Sequence, residues 1–78
     1  MKLSEAVAIR LGEIMTEKDV TQYRLSILSG VAQSTISYLR NGKTQAINLV
    51  AIHEIMDGLG LELAHFFDSP LFKRDNLE

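Results

Sequence analysis

Residues 21–44 read TQYRLSILSGVAQSTISYLRNGKT, and this stretch decides the fold. Two short helical patterns meet at a glycine. Thr21 is placed to cap the first, because a threonine hydroxyl accepts from a backbone amide in a helix's first turn. That helix is expected from Gln22 to Ser29. Gly30 ends it, glycine being the residue that enters the left-handed region without a Cβ penalty. A second helix is expected from Gln33 to Arg40, with Ile36 and Leu39 turned inward, and Asn41-Gly42 is a strong turn signal after it. Ser26 keeps the middle of the first helix small where the second crosses it. Counted from Gln22, Ser26 is fifth, Gly30 ninth, Ile36 fifteenth and Leu39 eighteenth. A helical hairpin alone is weak evidence. A small residue, a glycine and two aliphatics at these offsets are much stronger.

The charge pattern sharpens this reading. From Val20 to His53 there is no Asp or Glu, although the chain has 10 acids. Arg24, Arg40 and Lys43 give that window a charge of +3, and all other charged residues together leave −5, so the net charge of −2 hides a polarised molecule. A surface cleared of acids suits a polyanion such as the phosphate backbone of a nucleic acid.

Working outward, Leu3, Val7, Leu11, Ile14 and Met15 recur at helical spacing, which predicts an amphipathic helix over residues 3–18 with Ser4 as a candidate cap. Asn48 should cap a fourth helix whose apolar stripe is Leu49, Ile52, Ile55, Met56 and Leu59. Gly58 and Gly60 punctuate its end. A last short helix is expected from Leu63 to Phe67, stopped by Ser69-Pro70. Beyond Phe72 the tail should be loose. The fold class is therefore all-α, with five helices and no strands.

Composition removes other classes. The chain has 78 residues, one domain's worth, and 46% of them are hydrophobic, so it should fold. It has no cysteine, which excludes disulfides and cysteine-based metal sites and fits a cytoplasmic location. The apolar runs are too short to span a bilayer, and the N-terminus lacks the apolar core of a signal peptide. His53 and His65 have no neighbouring ligand set, so no metal and no cofactor is expected. Glu13/Glu17 and Glu54/Asp57 are helix-face pairs. No nucleophile–base arrangement or phosphate-cradling glycine loop is present, and an enzyme is not expected.

With SGVAQSTIS at 29–37, NGK at 41–43 and DGLGLELAHFF at 57–67, the chain resembles the Xre/Cro/phage-repressor type of helix-turn-helix regulator, especially its short bacterial members. The resemblance covers about residues 5–67. It implies a lambda-repressor-like DNA-binding domain over residues 1–68 with the motif at 22–40, and a C-terminal tail over 69–78. It implies double-stranded DNA as partner, with a homodimer on a palindromic operator.

The same resemblance distributes roles. Gln33, Ser34, Ser37 and Tyr38 would contact base edges. Gln22, Arg40, Asn41 and Lys43 would contact the backbone, Gln22 also bracing Gln33. The chemistry agrees: a glutamine amide can pair with adenine N6 and N7 together, and a hydroxyl suits several base edges. Helix starts also favour phosphate oxygens. Phe67, Leu71 and Phe72 exceed what closing one small core needs, so they are expected at the dimer interface.

Some positions depart from the family. Ala32 stands where a Ser or Thr cap is common, at a cost of about 1 kcal/mol. Met15 and Arg40 occupy the places of a frequent Arg–Glu pair, which leaves Arg40 free to approach DNA. Ile47 replaces a proline, Ile27 a polar residue, and Glu62 a Ser-type cap. Two alternatives accompany the regulator reading. One is an antitoxin of the same fold, with a protein partner such as a toxin, or a regulator met by an antirepressor. The other is an interaction module that has lost DNA affinity.

Overall fold

The computed structural model describes residues 1–78. Five α-helices run in the order α1 (Leu3–Glu17), α2 (Gln22–Ser29), α3 (Gln33–Asn41), α4 (Leu49–Gly58) and α5 (Leu63–Phe67). Two single 3₁₀ turns follow, Pro70–Phe72 and Arg74–Asn76. There are no strands.

Local chemistry sets most of the boundaries. Thr21 Oγ1 accepts from the Arg24 amide at 3.0 Å, and Asn48 Oδ1 accepts from the Ala51 amide at 3.0 Å. Both satisfy a first-turn donor that has no partner within the helix. Gly30 takes φ 74°, the left-handed value the turn requires, and its amide closes α2 onto the Ser26 carbonyl. Neither Ala32 nor Glu62 caps with its side chain, as their identities imply.

One core joins the elements. α1 packs on α3, α2 on both α3 and α4, and α4 on α5. Val7, Leu11 and Ile14 of α1 meet Leu25, Val31, Ile36, Leu39, Ile52, Ile55, Met56 and Phe66 there. The tightest approach is at Gly58. A Cβ on it would lie 2.7 Å from the Leu28 carbonyl oxygen and 2.8 Å from Ser29 Cα. The end of α4 thus rests directly on the backbone of α2.

Four expectations are corrected. Ser4 does not cap α1, which starts one residue earlier; Glu5 accepts from the Lys2 amide at 2.9 Å, and Ser4 is buried in the first turn. Leu49 is not a core residue: it is 53% exposed at the outer start of α4. Phe67 and Phe72 do not lack partners inside the chain. The Phe66, Phe67 and Phe72 rings pack on one another with centroids 5.1–6.0 Å apart, and Phe72 lies against the core. The tail beyond Phe72 is not loose. The Glu78 amide donates to the Met1 carbonyl at 2.9 Å, and the Met1 ammonium to the Asn76 carbonyl at 2.8 Å.

Candidate nucleic-acid interface

α3 presents two faces with opposite fates. Ile36 and Leu39 are buried in the core. Gln33, Ser34, Ser37 and Tyr38 are all exposed on the outer side. None of these four side chains makes a hydrogen bond within the chain, and neither do those of Asn41 and Lys43. Six polar side chains on one helix and its following turn therefore stand ready for an outside partner. Tyr38 is 65% exposed, so its ring stands clear of the seam. α3 has no side-chain cap, which leaves its first amides open to an external acceptor.

Two members of the predicted set do have partners within the chain. Gln22 Nε2 donates to the Gln33 carbonyl oxygen at 3.4 Å. This is the bracing that the resemblance implies, and it ties the starts of α2 and α3 together. Arg40 folds back onto α1: its Nη1 lies 3.5 Å from Met15 Sδ, and a Cβ at Gly12 would sit 3.3 Å from its Nη2. Gly12 makes the space in which that guanidinium rests. To reach a phosphate, Arg40 must swing away from α1, at the cost of a weak contact.

The structure also adds residues that the sequence reading missed. Asn48 and Ala46 line a shallow groove with Ser34, Thr35 and Tyr38. The start of α4 thus borders the outer face of α3. Asn41 and Lys43 line a second open groove against Lys2, Glu5 and Ala8 of α1.

A third group works behind the interface. Arg10, only 12% exposed in its side chain, donates through Nε to the Phe66 carbonyl at 2.7 Å and through Nη2 to the His65 carbonyl at 2.6 Å. It caps the C-terminal carbonyls of α5 with a positive charge, where a cation is favoured. Glu13 holds its Nη1 at 3.3 Å. Elsewhere, no three His, Cys, Asp or Glu side chains are placed to hold a metal ion, and no helix is long and apolar enough to cross a membrane.

Two helices joined at a left-handed glycine, their starts tied by a glutamine and the outer face of the second left open, define a helix-turn-helix domain. Residues 10–68 match the Cro/C1-type HTH DNA-binding domain, and the chain belongs to that family. A solved structure titled "Crystal structure of the prophage Lp1 protein 11" is similar over nearly the whole chain. It is 31% identical with a TM-score of 0.78, and the match covers 90% of this chain and 93% of that one. No curated protein matches.

Proposed function

We propose that this protein is a sequence-specific transcriptional regulator, acting as a repressor in the cytoplasm. Two copies bind a palindromic operator, each laying α3 from Gln33 to Arg40 in the major groove. The observation that carries this reading is the outer face of α3: Gln33, Ser34, Ser37 and Tyr38 exposed and unpartnered, flanked by Asn41 and Lys43. Gln33, at the helix start, pairs with an adenine edge, and the hydroxyls of Ser34 and Ser37 accept several bases. Lys43, Asn41 and the α3 amides fix the register on phosphate. On this reading residues 1–68 are the binding domain and 69–78 brace it. Bound protein represses by excluding other proteins from the same DNA.

One helix of this length reads only a few base pairs. Two-fold symmetry doubles the contacts and requires half-sites about one helical turn apart, roughly 34 Å. Selection of bound duplexes from a random pool tests the proposal. Enrichment of an inverted repeat with that spacing is expected. A pool that shows no enrichment overturns sequence-specific binding.

A further inference from the structure

We propose that Met15 is an oxidation site: a hydroperoxide converts its thioether to the sulfoxide, and the new oxygen clamps Arg40 against α1, out of reach of DNA. The proposal rests on the DNA-binding reading above, with Arg40 as a contact to the phosphate backbone, and adds a control built into the frame.

Arg40 is docked on α1, but loosely. A Cβ at Gly12 would lie 3.3 Å from its Nη2, 3.5 Å from Cζ and 3.6 Å from Nε. Three atoms at nearly one distance place the guanidinium flat over that glycine. Gly12 lies inside α1, where glycine costs helix stability, and the space it leaves is the space the guanidinium fills. Met15 stands at the edge of this bed, its Sδ 3.5 Å from Nη1. That sulfur is the only hydrogen-bond partner the guanidinium has. No carboxylate pairs with it, although Asp19 lines the same hollow. Arginine has five donors, and a thioether is a weak acceptor. The dock therefore has shape without strength, and a phosphate oxygen is a far better partner.

The sulfur can also be reached. Met15 is 6% exposed, against 40% for Met1 and 0% for Met56. It opens onto a hollow of about 310 Å³ that it shares with Gly12, Thr16, Asp19 and Arg40. An oxygen added on the Arg40 side enters this hollow and not the core. In the reaction the sulfur attacks the distal oxygen of hydrogen peroxide. An S–O bond forms as the O–O bond breaks, the proton of the transferred hydroxyl passes to the leaving oxygen, and water departs. The sulfur gives up two electrons and the peroxide takes them. The product oxygen carries partial negative charge beside a guanidinium already in place. A hydrogen bond from a charged donor to that oxygen is much stronger than one to a thioether, so DNA must break it to use Arg40. Reduction of the sulfoxide restores the loose dock.

Dilute hydrogen peroxide on the folded protein, followed by peptide mass spectrometry, reads the site itself. Met15 should be oxidised after Met1 and well before Met56. In the oxidised protein the Arg40 Nε–H should become visible in proton–nitrogen NMR spectra under conditions where it exchanges with water in the untreated protein. Affinity for the selected repeat should fall about 10-fold per half-site, the worth of one hydrogen bond to a charged group. The salt slope should drop by roughly one per protomer. Treatment with a methionine sulfoxide reductase should restore both. Met15→Leu, exposed to the same peroxide, should keep its affinity. Arg40→Ala should bind the repeat more weakly than wild type before treatment and lose nothing further after it. Oxidation of Met15 only together with Met56, or an Arg40 Nε–H that still exchanges freely, overturns the clamp. So does an equal loss on oxidation in Arg40→Ala, which would mean that the oxygen acts by disrupting the core. Untreated Arg40→Ala that matches wild type on the repeat removes Arg40 from the phosphate backbone, and with it the control of binding. That failure belongs to the DNA-binding reading and is seen before any oxidant is added.

Discussion

The outer face of α3 and the joint between α1 and α5 use polar side chains in opposite ways. At the joint, Arg10 spends its guanidinium on the His65 and Phe66 carbonyls and on Glu13. On α3, Gln33, Ser34, Ser37 and Tyr38 spend nothing within the chain. A buried charged group must be paired to be tolerated, whereas an exposed one is satisfied by water and can exchange water for a ligand. The first arrangement holds the frame rigid. The second holds hydrogen-bonding capacity in reserve at a fixed place. Substitutions in the frame should therefore lower stability, and DNA binding only in consequence. Substitutions on the face should lower binding alone.

The largest effect is expected at Gly58. In Gly58→Ala the new methyl group meets backbone atoms of Leu28 and Ser29 at 2.7–2.8 Å, which cannot rotate away. Separating α4 from α2 should cost about 3 kcal/mol, the upper range of overpacking. Urea unfolding at unchanged slope measures this. A loss below about 0.5 kcal/mol, the scale of an ordinary surface change, would show that the α2–α4 approach is looser than described. Arg10→Met comes next, at about 2 kcal/mol. It keeps an aliphatic stem but leaves the Phe66 carbonyl without its donor and the His65 carbonyl with the Asp68 amide alone. Its half-site affinity, measured where the protein is still folded, should match wild type. A selective loss of DNA binding would move Arg10 from the frame to the face.

The elements that sequence revealed best are those made by local chemistry. The Thr21 and Asn48 caps, the Gly30 turn and the bounds of α5 each depend on a few neighbouring residues, and each is found as expected. So is the outward set on α3, because two inward aliphatics fix the direction of the other side chains. What escaped depends on which elements meet. Leu49 fits the apolar stripe of α4 by spacing, yet it precedes the part of the helix that has something to pack on. Gly58 read as a helix end, although Gly60 already supplies the left-handed residue there, at φ 72°. The redundancy of two glycines was the available signal of a close crossing. Arg10 sits three residues after Val7 and four before Ile14, at the edge of the α1 stripe. That position hinted at a buried role, but its partners lie more than fifty residues away. The backbone roles of Gln22 and Arg40 are intermediate cases. Gln22 shows the expected brace, and Arg40 rests on α1 through Gly12, a contact no local pattern announces.

On the face itself, Gln33→Ala should have the largest effect. Its amide is free of intrachain bonds, so its removal should change stability by less than about 0.5 kcal/mol. Affinity for the selected repeat should fall by about 1–3 kcal/mol per half-site, and preference should flatten at one base pair. Competition with each single-base variant of the repeat measures that preference. Equal losses on the repeat and on random duplex would make Gln33 a general contact and weaken the assignment of α3 as the reading element.

The smallest effect separates positioning from reading within the same face. Lys43 is exposed, carries a cation and has no hydrogen-bond partner within the chain. It lies in the turn just past α3, beside Asn41 and Gly42. On the proposed reading a cation there contacts phosphate, whose charge is the same at every base pair, so it would add affinity without sequence information. Lys43→Ala should therefore weaken the repeat and random duplex by the same factor, about 1 kcal/mol or less per half-site in moderate salt. The diagnostic quantity is the dependence of log affinity on log salt. Each lost phosphate contact removes about one released counterion, so the slope should fall by roughly one per protomer. In Gln33→Ala, by contrast, the slope should stay as it is, because a neutral amide on a base edge displaces no condensed ion. If Lys43→Ala kept the wild-type slope, its cation would not be at the backbone, and the turn after α3 would no longer count as part of the interface.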